Sequence, residues 1–337
     1  MKRTKRMTAE ELINRLESLS VSDKEKKQNK AYESEKQEIA YTKAFREVLH
    51  TGILTNSVKR GSDGSGGFLV PDTYEKKIVE CLEAENILRK LGTTIKTTND
   101  MKIPVVIGRP EATWVQEGNG VPISDVTYGE IKLDAYKLVR KIVVSEEMLE
   151  DAAFDVEKYI LQTSAKSIAK TEEEAFFNGD GNGKPIGLSY QAEIAGRFDT
   201  VSDITIDDVI DLIHSLNTPY RKNAVFVMSE EMEFRLRKLT IYRGNRTWEK
   251  ALAKGFPDKF LGYPVYTTST LNLKGQEHTP LFFGDFKYFK IGDRGKRTVK
   301  RLVEKYADKG QVAYITSERV DAKLVLPEAI KSIQVAN

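Results

Sequence analysis

The sequence predicts a mixed α+β protein whose long elements do not follow the alternating βαβ order of a nucleotide-binding domain. One observation is a run of apolar residues at helical spacing over residues 155–178, which predicts roughly 24 residues of helix, about 36 Å long. A second is the polar and apolar alternation typical of strands between residues 101 and 144. A third is the succession of short helices and strands after residue 204.

Residues 1–60 contain two amphipathic stripes on either side of a polar stretch, 23–30. The first stripe consists of Leu12, Ile13, Leu16 and Leu19, and the second of Ile39, Tyr41, Phe45, Val48 and Leu49. Helices this short and charged are only marginally stable alone. We therefore expect them to self-associate or to dock on the folded body, with a plain flexible tail as the alternative.

Four glycines within residues 61–67 predict a linker, so the folded body begins after it. Apolar residues at helical spacing then predict a helix over residues 72–90. Cys81 lies within this helix, and we interpret it as a buried thiol rather than a reactive one.

A long hairpin is predicted next. Residues 101–107 form a short strand, Trp114 to Glu117 begin another that enters a polar loop, and the alternation over residues 126–144 predicts a long return strand. Such a ribbon, about thirty residues with polar groups on much of both faces, is hardly stable in water by itself. We therefore expect it to pack on a neighbouring subunit.

The glycine-rich run at residues 179–188 predicts a turn that ends the long helix. It is not a phosphate-binding loop, because Asn178 and Pro185 occupy the positions that need Gly and Ser or Thr. It is not a calcium loop either, because Pro185 and Gln191 replace the required Gly and Glu.

In the last part of the chain, Thr205 and Asp208 form a capping pattern that predicts a helix over residues 206–216. A second helix is predicted over residues 229–239. The predicted strands cover residues 224–228, 263–267, 281–283, 286–291, 296–304 and 311–325.

Composition excludes several classes of protein. The chain has 337 residues, of which 31% are charged, and no apolar run approaches the ~20 residues that span a bilayer. The N-terminus lacks the apolar core of a signal peptide, so we expect the protein to remain in the cytosol. Residues 1–60 carry a net charge of +5 and the remainder −2. A body that gripped DNA through many phosphates would be basic, so we expect any nucleic acid to be enclosed rather than clamped.

No residue is nominated for catalysis, cofactor binding or metal binding. The three histidines, His50, His214 and His278, are scattered, and no serine or cysteine is placed with a histidine in a pattern that suggests a nucleophile. The carboxylates at residues 172–174 and 207–208 are interpreted as solvated helix faces. A cytosolic enzyme or ligand-binding protein remains an alternative that no motif supports.

The order of several segments is similar to that of the HK97-type tailed-phage major capsid family. The segments are GGFLVPDTYEKKIV, WVQEGNGVPISD, KLVRKIVVSEEMLEDAAFDVEKYI, EEEAFFNGDGNGKPIGL, GYPVYTTSTL, PLFFGDFKYFKIGDR and SERVDAKLVLPEAI. Each is weak alone, but together they cover most of residues 66–337 in the same order.

The resemblance implies the HK97-like capsid fold, with an N-terminal arm, an E-loop hairpin, a peripheral P domain that carries a long spine helix, and an axial A domain. By this resemblance the arm is residues 58–70 and the E-loop 110–144. The P domain would comprise residues 71–109, 145–203 and 285–320, and the A domain residues 204–284 and 321–337.

The function implied is a major capsid protein that assembles with itself, as pentamers and hexamers, into an icosahedral shell around double-stranded DNA. The shell would form in the bacterial host cytoplasm and become the virion capsid, with a portal protein as a further partner. The candidate contact residues between subunits are Trp114, Glu117, Tyr128, Tyr136, Arg140, Arg297, Arg301 and Glu304. An encapsulin-like cargo compartment, which shares the fold, is the nearest alternative.

Family members also carry an N-terminal scaffolding segment that a maturation protease removes, and residues 1–60 fit that role. Cleavage is expected near the linker, in the region of Lys59, Arg60, Gly61 and Gly67. Some relatives crosslink neighbours through an asparagine of the P domain. The corresponding turn here, residues 306–311, has no asparagine, which argues against crosslinking.

Overall fold

The computed structural model describes residues 32, 36–49, 68–108, 127–150, 156–242, 247–251, 255–271 and 278–336. The helices are α1 (36–49), α2 (Asp72–Glu85), α3 (Ile87–Leu91), α4 (Glu146–Glu150), α5 (Val156–Asn178), α6 (Leu188–Gln191), α7 (Ile206–Ser215), α8 (Thr218–Arg221) and α9 (Glu230–Tyr242). The strands are β1 (Phe68–Leu69), β2 (Thr93–Thr97), β3 (Met101–Gly108), β4 (Thr127–Leu133), β5 (Tyr136–Ser145), β6 (Glu193–Phe198), β7 (Val225–Ser229), β8 (Trp248–Glu249), β9 (Lys259–Phe260), β10 (Tyr263–Thr268), β11 (His278–Gly284), β12 (Phe289–Arg294), β13 (Thr298–Leu302), β14 (Gln311–Leu324) and β15 (Ile330–Val335).

Strand β14 organises a six-stranded sheet. Strands β1, β13, β14, β12 and β2 are hydrogen-bonded in that order, and β5 also pairs antiparallel with β14, from Tyr136 opposite Val320 to Ser145 opposite Gln311. Helices α1, α2 and α5 pack with this sheet in one core, which includes the fully buried side chains of Phe45, Leu82 and Tyr314.

A seven-stranded sheet has the strand order β6, β15, β11, β7, β10, β9, β8. Strand β11, the third in this order, is buried along its whole length. Helices α7 and α9 contribute Val209, Leu212 and Leu236 to the core that it shares with Phe226 and Phe283. A third core joins the two sheets. Phe176 and Phe177, at the end of α5, pack there against Phe289 and Phe282 respectively.

The predicted long helix is confirmed, because α5 spans Val156–Asn178. It ends as predicted at the glycine-rich turn, where the chain crosses itself closely. A Cβ on Gly179 would lie 2.1 Å from the Pro185 carbonyl oxygen, and one on Gly187 would lie 2.4 Å from that of Phe177. Glycine is required there because the backbones approach too closely for any side chain.

The single helix predicted over residues 72–90 is wrong in one respect, because it breaks at Asn86. The backbone of Asn86 is extended, and its side chain accepts a hydrogen bond from the Arg89 amide at 3.1 Å. Asn86 thus caps the short helix α3 as an N-cap residue and turns Arg89 toward the protein interior.

The predicted return strand over residues 126–144 is also wrong as one element. It divides at residues 134–135: β4 pairs with β3, whereas β5 pairs with β14 in the six-stranded sheet. The ribbon begins at Met101, and its return strand ends at Leu133. Strand β6 joins the seven-stranded sheet, and β14 continues in the six-stranded sheet to Leu324.

Candidate assembly surfaces and the buried charge cluster

The β3–β4 ribbon has two chemically different faces. Met101 pairs with Leu133 and Ile103 with Ile131 on one face, whereas Lys102 pairs with Lys132 on the other. This corrects the expectation of polar groups on much of both faces. Among the described residues, neither β3 nor β4 pairs with a third strand.

The base of the ribbon is anchored to the six-stranded sheet. Leu133 is buried beside Gly292 of β12, where a Cβ would lie 3.1 Å from the Leu133 Cδ1 atom. The Asp134 amide also donates a hydrogen bond to Asp321 Oδ2 at 2.7 Å. Burial raises the pKa of Asp321, although the hydrogen bond from the Asp134 amide and the charge of Lys323 act in the opposite direction. Met101, Ile103 and Ile131 stay half-buried, so the ribbon offers an apolar strip beyond this anchor.

Strand β5 presents a second surface. Val139 and Val143 are exposed and alternate with the exposed lysines Lys137 and Lys141. Strand alternation puts these four side chains on one face. Lys141 Nζ donates a hydrogen bond to the Tyr306 hydroxyl at 2.8 Å, and this contact lowers the pKa of Tyr306. Exposed valines between lysines suit contact with another protein surface.

A buried cluster of charges lies beneath the sheet. Arg89 Nε and Nη2 donate to Glu172 at 2.7 and 2.6 Å, and Arg89 Nη2 also donates to Asp293 Oδ1 at 2.8 Å. Arg297 Nε donates to Glu318 Oε2 at 2.7 Å, and Arg297 Nη1 contacts Glu75. The cluster therefore joins helices α2, α3 and α5 to strands β12 and β14.

These charges perturb one another strongly. Burial opposes the charged form of Arg89, but Glu172 and Asp293 outweigh it and raise the pKa of the guanidinium well above its usual value. Burial also opposes the ionisation of Asp293, but Arg89 and Arg297 outweigh it and lower the pKa of its carboxyl. Burial, followed by the charge of Glu172, raises the pKa of Glu318 well above its ordinary value. Four carboxylates face two guanidiniums here, and Glu318 is the one whose ionisation burial and the neighbouring Glu172 disfavour.

The neighbouring residue Glu173 ties α5 to the other sheet. Its Oε1 accepts from the Ile87 amide at 3.1 Å, and its Oε2 accepts from the hydroxyls of Thr268 and Thr270 at 3.3 and 3.0 Å. The prediction that residues 172–174 form a solvated face is therefore wrong for Glu172 and Glu173, which are buried. Tertiary contacts of α5 bury both side chains, and helical periodicity does not predict those contacts.

The predicted contact residues fall in several environments. Arg140 and Glu304 are exposed, while Tyr136 and Arg301 are half-buried. Arg297 is buried within the subunit, where it belongs to the charge cluster. The backbone of Tyr128 pairs with Val106 in the ribbon. Trp114, Glu117 and the linker residues Lys59, Arg60, Gly61 and Gly67 lie outside the described residues.

Helix α1 docks on the body, as expected for the second amphipathic stripe. Phe45, Val48 and Leu49 are buried, and Phe45 packs against Tyr74 with ring centroids 6.0 Å apart. The Tyr314 hydroxyl donates a hydrogen bond to the Leu49 carbonyl oxygen at 2.6 Å. The first stripe lies outside the described residues.

The described part of the chain contains no group of three or more His, Cys, Asp or Glu side chains arranged to bind a metal ion. Within the same residues, no helix is both long and apolar enough to cross a membrane.

Known proteins with similar sequences include the major capsid proteins of phages. The chain is 29% identical over 251 residues to the major capsid protein of Klebsiella oxytoca phage phiKO2, a match that covers 70% of this chain and 58% of that protein. It is 30% identical over 124 residues to the major capsid protein of Escherichia phage T5, covering 34% of this chain and 27% of that protein. The chain thus spans less than two thirds of these relatives, none of which is named as an enzyme.

Solved structures of a GTA capsid chain and of a phage chain also match this chain. A capsid chain of a native GTA particle matches with a TM-score of 0.63 and 25% identity, covering 74% of this chain and 90% of that chain. A chain from Gordonia phage Cozz matches with a TM-score of 0.57 at 14% identity, covering 75% and 87%, which supports the fold alone. The predicted capsid fold is confirmed. The phage capsid family model matches residues 66–335, and the chain belongs to that family.

Proposed function

We propose that this protein is the major capsid subunit of a tailed phage and assembles with itself into an icosahedral shell of pentamers and hexamers around double-stranded DNA. The observation that carries the proposal, beyond family membership, is the β3–β4 ribbon. Its apolar strip of Met101, Ile103 and Ile131 is only half-buried within the subunit. A neighbouring subunit that covered the strip would bury this area, at about 25 cal/mol for each Å² of apolar surface.

The rigidity of the subunit supports the same role. The charge cluster and Glu173 connect α5 to both sheets, so the ribbon and the β5 face are held on one framework. A shell subunit needs surfaces with a defined relative orientation, because errors in angle accumulate around a closed shell. Arg140, Tyr136, Arg301 and Glu304 remain proposed contact residues. The ribbon, the six-stranded sheet and the seven-stranded sheet are our proposed E-loop, P domain and A domain.

We also propose where this protein assembles and which further partners it has. Shells would assemble in the bacterial cytoplasm and become the virion capsid, with a portal protein at one vertex. Residues 1–60 would act as a scaffolding segment, and a maturation protease would cut near residues 59–67. Because one face of α1 packs into the subunit core, we propose that the removable part acts chiefly through residues before α1.

Electron microscopy of the protein expressed alone tests the proposal. Closed shells or rings of pentamers and hexamers are expected, whereas dispersed small oligomers under all assembly conditions would contradict it. Shells that capture host enzymes instead of packaging DNA would favour the encapsulin-like alternative.

A pair of ribbon variants makes the test specific. Ile103→Gln adds a polar group to the apolar strip, and Lys102→Gln places the same side chain on the opposite face. We expect shell yield to fall at least severalfold for Ile103→Gln, with the melting temperature of the subunit little changed. Equal yields from the two variants would remove the ribbon from the assembly contacts.

A further inference from the structure

A groove of about 580 Å³ runs between helices α2 and α5. Ile78 and Cys81 of α2 and Leu161 and Ala165 of α5 line it with apolar groups. Cys81 is partly exposed there, and burial is the main cause that raises the pKa of its thiol. Ile78, Leu161 and Ala165 are only 2–7% exposed, so the open part of this floor is centred on Cys81.

The edges of the groove are basic. Lys77 lies on α2, Lys158 and Lys166 on α5, and Arg46 on α1, whereas Glu80 is the one carboxylate among the lining residues. Glu85 lies 3.9 Å from Lys166 and offsets part of that charge. An apolar floor between positive edges fits an amphipathic segment whose polar side is acidic.

The chain itself contains such a segment. Residues 9–19 carry the stripe Leu12, Ile13, Leu16 and Leu19, together with three glutamates and one arginine. At 100° per residue, Glu11 and Glu17 fall on the two flanks of that stripe, as contact with two positive edges requires.

The connection is long enough for the segment to reach the groove of its own subunit. Sixteen residues separate Leu19 from the start of α1 at residue 36, and they can span about 50 Å when extended. The start of α1 is about 15 Å along the helix from Arg46, at the edge of the groove.

We propose that residues 9–19 dock as an amphipathic helix in the groove between α2 and α5 of the same subunit, an inference that rests on the scaffolding role proposed above. Leu12 and Leu16 then lie on the apolar floor, and Glu11 and Glu17 face the basic edges. Docking covers the groove in the intact subunit, and removal of the segment opens it.

The native thiol of Cys81 provides the test, because it is the one cysteine of the chain. In the full chain, Leu16→Cys is oxidised beside the matched control Asn14→Cys, which lies on the opposite side of the predicted helix. We expect an intramolecular disulfide with Cys81 for Leu16→Cys and little for Asn14→Cys. Disulfide-linked dimers would instead place the segment in a second copy and overturn docking within one subunit.

A second measurement does not depend on crosslinking geometry. Maleimide labelling of Cys81 in the full chain should accelerate by about tenfold in Leu16→Asp, equivalent to a loss of 1.4 kcal/mol of docking free energy, but not in Asn14→Asp. High salt should also accelerate labelling of the unmodified chain, because it screens the charges at the groove edges. Equal labelling of both variants, without a specific disulfide, overturns the inference.

Shell formation is scored separately by electron microscopy. Normal shells without docking would count against this inference alone, whereas specific crosslinking without shells would count against the proposed function alone.

Discussion

Arg89 and Glu172 face each other as a bidentate ion pair, with Nε to Oε2 at 2.7 Å and Nη2 to Oε1 at 2.6 Å, and both side chains are almost completely buried. The pair joins α3 to the C-terminal third of the long helix α5. Its geometry depends on Asn86, which ends α2 and caps α3 so that Arg89 points inward.

Replacing Arg89 should be strongly destabilising. Arg89→Leu would leave Glu172 and Asp293 buried without this partner, and we expect a loss of about 3–5 kcal/mol in the free energy of unfolding. The matched control is Lys102→Leu, which breaks the exposed ion pair with Glu130 and should cost about 0–1 kcal/mol. Urea denaturation measures both. Similar losses in the two variants would contradict the structural importance of the cluster.

The stability of the subunit should depend on pH through Glu318. Its pKa is raised in the folded protein above the ordinary value of 4.5. Between 4.5 and the raised pKa, the folded state binds more protons than the unfolded state, so the free energy of unfolding falls as pH rises. Glu318→Gln keeps an acceptor for Arg297 and removes this ionisation. Its stability curve should be flatter over that window, while the exposed control Glu304→Gln should follow the parent protein.

Helix α1 should contribute to folding. Phe45→Ala removes a fully buried ring that contacts Tyr74, and we expect a loss of about 3–5 kcal/mol. Ile39→Ala, in the same helix but 64% exposed, should change stability little. Thermal unfolding of both variants checks this, and equal melting temperatures would show that α1 does not dock stably.

Purified shells should dissociate completely in denaturing gels. The turn at Glu304–Lys309 contains no asparagine that a lysine amine could attack. Bands at 38.1 kDa or below are expected. A ladder of covalent multimers would refute the prediction.

Maturation should shorten the chain near the linker. Intact-mass measurement on mature particles is expected to find a main fragment that begins within residues 59–67. A mass that retained Met1 would exclude this cleavage. If a separate peptide that contains α1 remained bound to the shell, this would show that α1 stays docked on the subunit after the chain is cleaved.

The sequence by itself determined the elements whose signals are local. Apolar spacing predicted α5, the pair Thr205 and Asp208 marked the start of α7, and ordered short motifs pointed to the capsid family. The apolar stripe of α1 was also predicted from the sequence, because a helix with one apolar face must bury that face against a partner.

Tertiary structure alone decided which strands pair and which charges are buried. The alternation over residues 126–144 shifts its phase after Ala135, but the pattern does not show which strand each half pairs with, and hydrogen bonding joins β4 to β3 and β5 to β14. Glu172 and Glu173 appear on a charged helix surface until Arg89, Ile87 and Thr270 enclose them from distant parts of the chain. Burial of a charge depends on partners far away in sequence, and helical or strand periodicity carries no information about them.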